Sequence, residues 1–150
     1  MGVAREEEPV RIASVAAAIF AIVGLGCAAH AETVRMKAVL DAAQETPPND
    51  SNGTGAAEIA LDTETQRLSW VLTFSGLTSP ATAARFHGPA PMGEPGKTAV
   101  EFDGTESPIE GSAILTEAQT GQLLDGLWYM NVHTEKNPDG EIRGQVLVER

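Results

Sequence analysis

Two histidines, His87 and His133, are the side chains in this sequence best suited to give a lone pair to a metal or to exchange a proton near neutral pH. His87 stands in Ala84-Arg85-Phe86-His87-Gly88-Pro89-Ala90, and His133 in Leu127-Trp128-Tyr129-Met130-Asn131-Val132-His133-Thr134. A third stretch follows at once, Asn137-Pro138-Asp139-Gly140-Glu141-Ile142-Arg143-Gly144-Gln145. Two neutral imidazoles are half of a tetrahedral zinc site or a good part of a copper site. Glu141 is the carboxylate expected to complete such a shell, with Asp139 and Glu45 as alternatives. Because Zn–N bonds span only about 2.0–2.1 Å, the two rings must lie close, and a separation beyond about 12 Å would remove a shared site. Arg85 works against a metal, since a guanidinium has no lone pair and repels a cation. The competing reading is that each histidine hydrogen-bonds to a loop carbonyl or carboxylate and pins a strand end. Glu141 and Arg143, two residues apart, are expected to share a strand face and enter ion pairs, with Arg143 in reach of Glu45 or Asp139.

Other chemistries fall away. There is no G-x-S-x-G elbow, and Gly93-Glu94-Pro95-Gly96-Lys97 lacks the spacing of a phosphate-binding loop. The single cysteine, Cys27, allows no disulfide within the chain. Carboxylates are so abundant that any proposed glycosidase pair would be a chance one. With 10 basic and 21 acidic residues the formal charge is −11, which opposes nucleic acid and favours cations or basic partners.

The first thirty-one residues read as an address. Ile12 to Ala29 is an apolar run introduced by Arg11, and Ala29-His30-Ala31 is a small-x-small cleavage site, so residues 1–31 are expected to be a cleaved signal peptide. The run is short of the roughly 20 residues that span a bilayer, so no transmembrane segment is expected after cleavage. The residue three before Cys27 is Gly24, where lipoprotein sites usually carry Leu, which argues against a lipid anchor there. Loss of two basic and three acidic residues with the peptide leaves a net charge of −10 on residues 32–150. The expected location is the periplasm or the extracellular space.

The elements that must carry the chemistry read as strands. Leu68, Trp70, Leu72 and Phe74 alternate with Arg67, Ser69, Val71 and Thr73, the period of a half-buried strand. The same period recurs over Val34–Leu40, Ala57–Leu61, Thr98–Phe102 and Ile142–Val148. Within Leu127–Thr134, Trp128, Met130 and Val132 fall on one face, and Tyr129, Asn131 and His133 on the other. Pro47-Pro48-Asn49-Asp50, Asp62-Thr63-Glu64-Thr65 and Asn137-Pro138-Asp139-Gly140 supply turns. Thr116 and Gln119 form a capping-box pair ahead of Leu123, Leu124 and Gly126, which predicts one short helix. A single domain over residues 32–150 follows, an antiparallel sandwich of seven or eight strands.

The three stretches together resemble the CHRD domain, named after its occurrence in chordin. That family's pattern runs through a segment like H-I-H-G-P-A, then Y-V-N-V-H-T, then N-P-G-G-E-I-R-G-Q. The matching positions here are Arg85, His87, Gly88, Pro89, Asn131, His133, Thr134, Asn137, Pro138, Gly140, Glu141, Arg143 and Gly144. Gln44-Glu45-Thr46-Pro47-Pro48 is similar to the family's opening loop, so the resemblance covers about residues 33–149. Arg85 departs from the pattern, since the family commonly has a histidine there. The resemblance implies an all-β, immunoglobulin-like Greek-key antiparallel β-sandwich, distantly like that of Cu/Zn superoxide dismutase. It implies a single-domain exported protein of the bacterial type without established enzymatic activity. The function expected is therefore a non-catalytic module that binds an unidentified protein or surface ligand and needs no cofactor. The alternative is a copper- or zinc-binding protein that uses His87 and His133.

Overall fold

The computed structural model describes residues 31–150. The expected signal peptide, apart from Ala31, and the question of a lipid at Cys27 lie outside the described residues. Among the described residues there are nine strands: β1 (Thr33–Asp41), β2 (Thr54–Asp62), β3 (Arg67–Ser75), β4 (Ala81–His87), β5 (Thr98–Glu101), β6 (Ile109–Ile114), β7 (Tyr129–Thr134), β8 (Ile142–Gln145) and β9 (Leu147–Val148). One helix, α1 (Glu117–Leu124), lies between β6 and β7. The fold is all-β, as expected, and the two-residue β9 brings the strand count above the expected seven or eight. No described helix is long and apolar enough to cross a membrane.

The strands are ordered β5-β4-β7-β8-β1-β2-β3-β6, with β9 beside β1, and every neighbouring pair is antiparallel. Two halves result, β5-β4-β7-β8 and β1-β2-β3-β6. Their junction is slight, one residue pair between Asp41 and Arg143, after which the chain shifts and β9 pairs with Met36 and Lys37. Gly144 permits the junction, because a Cβ there would collide with the Val39 carbonyl. The connections β3–β4, β5–β6 and β6–β7 each cross between the halves, as Greek-key sandwiches require.

The core fills the space between them. Trp70 of β3 meets Phe86 of β4 edge-on at 5.1 Å and stacks on Phe102 at 4.8 Å, while Phe86 also touches Trp128 at 5.7 Å. These contacts add to the gain from burying the rings. Leu68, Leu72, Met130, Val132 and Ile142 are fully buried around them. The capping box forms as predicted: the Thr116 side chain accepts from the Gln119 N–H and the Gln119 side chain accepts from the Thr116 N–H. Gly126 follows with φ 74°, and α1 lays Leu123 into the core.

Candidate functional site

The period of two divides β4, β7 and β8 into an inner face and an outer face. Ala84 and Phe86, Met130 and Val132, and Ile142 point to the core. The intervening residues then fall into register on the outer face. Arg85, Asn131 and Arg143 form one cross-strand row, and His87, Tyr129 and Gln145 form the next. His133 follows along β7, opposite Ala83. This outer face is not open to water: Tyr129, Asn131, His133, His87, Arg143 and Gln145 are all buried. The loop after β1, the loop between β4 and β5, and the β7–β8 turn roof it over.

The histidines are fixed at both nitrogens. His133 Nδ1 lies 2.8 Å from the Pro138 carbonyl and its Nε2 lies 3.4 Å from Arg85 Nη1. A guanidinium can only donate, so Nε2 holds the lone pair and Nδ1–H donates to the carbonyl. Arg85 also reaches Glu101 at 3.4 Å. His87 Nδ1 faces the Gly96 carbonyl at 3.0 Å and its Nε2 faces Asn131 at 2.9 Å. The His87 ring stacks on Tyr129, and its centroid is 6.0 Å from that of His133. The two imidazoles are therefore close, as expected of a shared site. Burial pushes both pKa values down, and the Gly96 and Pro138 carbonyls pull them back in part.

Arg143 lies flat over the Tyr129 ring, 3.5 Å from its centroid. Its guanidinium donates to Thr46 Oγ1, the Pro91 carbonyl and Gln145 Oε1. Gln145 donates onward to the carbonyls of Ala90 and Gly126, and Tyr129 Oη accepts from the Gly96 N–H. Glu45 is buried beside this group, and burial drives its carboxyl up to about 7 against the pull of Arg143, the Thr46 N–H and Asn131. The expected bridge from Arg143 to Glu45 or Asp139 does not form. Among the described residues the single ion pair within 4.0 Å is Arg85–Glu101.

Glu141 sits apart from the histidines. Its carboxylate accepts from Ser51 Oγ, the Thr78 N–H and hydroxyl, Thr134 Oγ1 and Asn137 Nδ2. Burial alone would raise its pKa, but these donors outweigh burial and hold it below the usual carboxylate value. The expectation that Glu141 completes a metal shell with His87 and His133 is corrected, and so is its ion pairing with Arg143. All its acceptor capacity serves three chain segments that meet at the β7–β8 turn. Among the described residues no three His, Cys, Asp or Glu side chains converge to hold a metal.

The remaining motif residues shape the roof. Gly88 passes against the Trp128 ring, where a side chain would clash, and Pro89 carries the loop away from β4. Thr134, Asn137 and Gly140 close the turn through Asn137 N–H to Thr134 Oγ1 and Gly140 N–H to the Asn137 carbonyl. Pro138 supplies the carbonyl for His133. This geometry coincides with a family match: the CHRD domain model covers residues 36–146. The chain belongs to the CHRD family. No curated protein and no solved structure matches it. The CHRD motifs thus specify a buried polar layer. Sequence reasoning missed the parts played by Tyr129, Gln145, Ser51 and Thr78. Strand period marks Tyr129 as outward, but nothing in the order of residues reveals the loops that cover it.

Proposed function

We propose that the chain is an exported, non-catalytic recognition module that binds a protein or surface ligand on the loops 45–49, 88–97 and 136–140. One observation carries this reading: four polar side chains of β4, β7 and β8 end on the backbones of the 88–97 and 136–140 loops, and Arg143 also reaches the Thr46 side chain of the third. His87 holds Gly96, His133 holds Pro138, Arg143 holds Pro91, and Gln145 holds Ala90. A rigid scaffold that fixes several adjacent loops is how sandwich modules present a binding surface. His87, His133, Arg143 and Gln145 are each engaged with the protein itself. The reading is tested by affinity capture from an exported-protein fraction, followed by hydrogen exchange on the complex. Protection is expected at the three loops. Protection of the outer face of β1–β3 instead, or turnover of the captured molecule, would sink it.

A copper- or zinc-binding reading has one observation in its favour. Both Nδ1 atoms face backbone carbonyls, the arrangement that orients histidines to ligate through Nε2. Both Nε2 atoms, however, already face Arg85 and Asn131, which would have to swing aside. Titration of Cu(II) and Zn(II) into the full chain, His87→Ala and His133→Ala decides the matter. One-to-one binding abolished by either substitution supports the metal reading, and binding no stronger than to an acidic control protein removes it.

A further inference from the structure

Among the described residues the sheet ends in β5 on one side and β6 on the other, and these two strands do not pair. β5 is a poor template for another strand, being four residues long, preceded by Lys97 and joined to β4 across a bulge. β6 runs for six residues in unbroken register with β3, and neither lysine nor proline lies among them. Just beyond the ladder the Leu115 N–H donates to the Gln66 carbonyl. Hydrogen-bonded pairs alternate along an antiparallel ladder, so Ile109, Gly111 and Ala113 direct their backbone groups to β3. The N–H and C=O groups of Glu110, Ser112 and Ile114 therefore point away from β3, and among the described residues no loop backbone meets them. The side chains of these three residues are exposed as well, Ile114 to 61%.

We propose that β6 pairs antiparallel with β6 of a second copy of this chain, about a two-fold axis at Ser112. Ser112 is the middle one of the outward-pointing residues. This register therefore sets Ser112 against its own counterpart and Glu110 against Ile114 of the other copy, and each outward N–H and C=O gains a partner. Gly111 and Ala113, the inner-face residues that meet across the seam, are small and leave room for it. Charge selects the same register. A chain of net charge −11 repels its copy at large, so the seam has to bring opposite charges together. Arg67 lies opposite Ile114 on β3, and its Nη1 donates to Ser112 Oγ at 3.2 Å, so the guanidinium leans over β6 toward the free edge. Glu110 of the other copy stands next to Ile114 in this register, within reach of that guanidinium. Among the described residues neither Arg67 nor Glu110 has an ion pair within its own chain. The two-fold axis makes the Arg67–Glu110 contact twice. None of the loops at 45–49, 88–97 and 136–140 belongs to this edge, so the inference stands apart from the recognition reading.

The test is sedimentation equilibrium of the full chain in about 0.15 M salt, which screens the general repulsion, beside amide exchange by NMR. A monomer–dimer equilibrium is expected. Exchange at Glu110, Ser112 and Ile114 should slow as protein concentration rises, while that at Gly111 and Ala113, already bonded to β3, stays the same. Ser112→Pro removes an outward N–H that β3 does not use, so this variant should keep a cooperative melting curve and lose the dimer. Glu110→Arg and Arg67→Glu should each weaken the dimer about tenfold by setting like charges across the seam. General repulsion predicts the opposite sign for Glu110→Arg, which lowers the net charge. A mixture of these two variants should restore the dimer, because opposite charges then meet at both contacts. Sedimentation as a monomer at every concentration overturns the proposal. A dimer that persists in Ser112→Pro, or charge reversals that mixing does not rescue, places the contact elsewhere on the chain and overturns it too. Slowed exchange at β6 only when a captured foreign protein is bound assigns the edge to a strand of that protein rather than to a second copy.

Discussion

The two halves of the sandwich use the same strand period to different ends. In β1, β2 and β3 the inward residues are apolar and buried, while the outward ones, such as Lys37, Glu58 and Ser69, meet water. In β7 and β8 every residue is buried on both faces. The outward side chains there are as polar as those of the first half, yet loops cover them. An outward polar residue on β1–β3 is a solvated group with little structural weight, whereas His87, His133, Arg143 and Gln145 on β4, β7 and β8 are tethers between sheet and loop. The same residue type therefore carries a different energetic meaning in each half. The difference lies in whether its hydrogen-bond partner is water or backbone.

Substitution sharpens this contrast, and the largest effect is expected at Glu141. Glu141→Ala leaves the Thr78 N–H and the Asn137 amide without their acceptor at a fully buried point, and should cost about 4 kcal/mol in denaturant unfolding. A loss below about 1 kcal/mol would show that the three segments are held by other contacts. Next comes a matched pair of outward arginines. Arg143→Met removes the contact with Tyr129 and the hydrogen bonds to two loops, for a loss of about 3 kcal/mol. Arg35→Met on the exposed side of β1 should change stability by no more than about 0.5 kcal/mol. Equal losses at the two positions would erase the distinction between the halves.

A smaller effect is expected at His133. His133→Ala frees the Pro138 carbonyl and returns Arg85 to its exposed partner Glu101, at about 1–2 kcal/mol. Hydrogen exchange should quicken in the 136–140 turn and remain unchanged in β1–β3. Faster exchange in both halves would mean that the turn is coupled to the whole core rather than tied locally to β7.

What could be read in advance follows the same division. β1, β2 and β3 were plain from alternation because one of their faces meets solvent, so burial and polarity agree along the strand. β4 and β6 carried no such signal. β4 is rich in small alanines, and β6 places Gly111 beneath the Trp70 ring, so neither shows a row of large apolar residues. Approach of His87 to His133 was legible from the faces of Leu127–Thr134 and from the motif that ends β4. The place of Glu141 was not. No spacing in the sequence shows where its carboxylate goes: Glu141 precedes β8 and turns toward Ser51 and Thr78, which lie far away in sequence. Burial of Glu45 was equally hidden, because it depends on a turn nearly a hundred residues later.

The most selective predicted effect is the pH dependence contributed by the roofed face. His87 and His133 have pKa values lowered from 6.5, so the folded chain holds fewer protons at these sites than the unfolded one, and their contribution raises stability as pH climbs toward 6.5. Glu45 acts in the opposite direction. Its carboxyl is raised from 4.5 to about 7, so the folded chain holds the extra proton, and stability is lost as pH rises through that interval. The two trends oppose each other between about pH 5 and 7 and flatten the profile of the parent chain. Glu45→Gln removes only the second. Melting temperatures by calorimetry should therefore rise more steeply with pH in Glu45→Gln, with the two proteins close at pH 5 and the variant more stable at pH 8. Arg35→Met, on the open half, should leave the profile unchanged. Parallel profiles for Glu45→Gln and the parent would mean that the buried carboxyl titrates alike in the folded and unfolded chain, and the roof would then carry no charge-dependent strain to relieve.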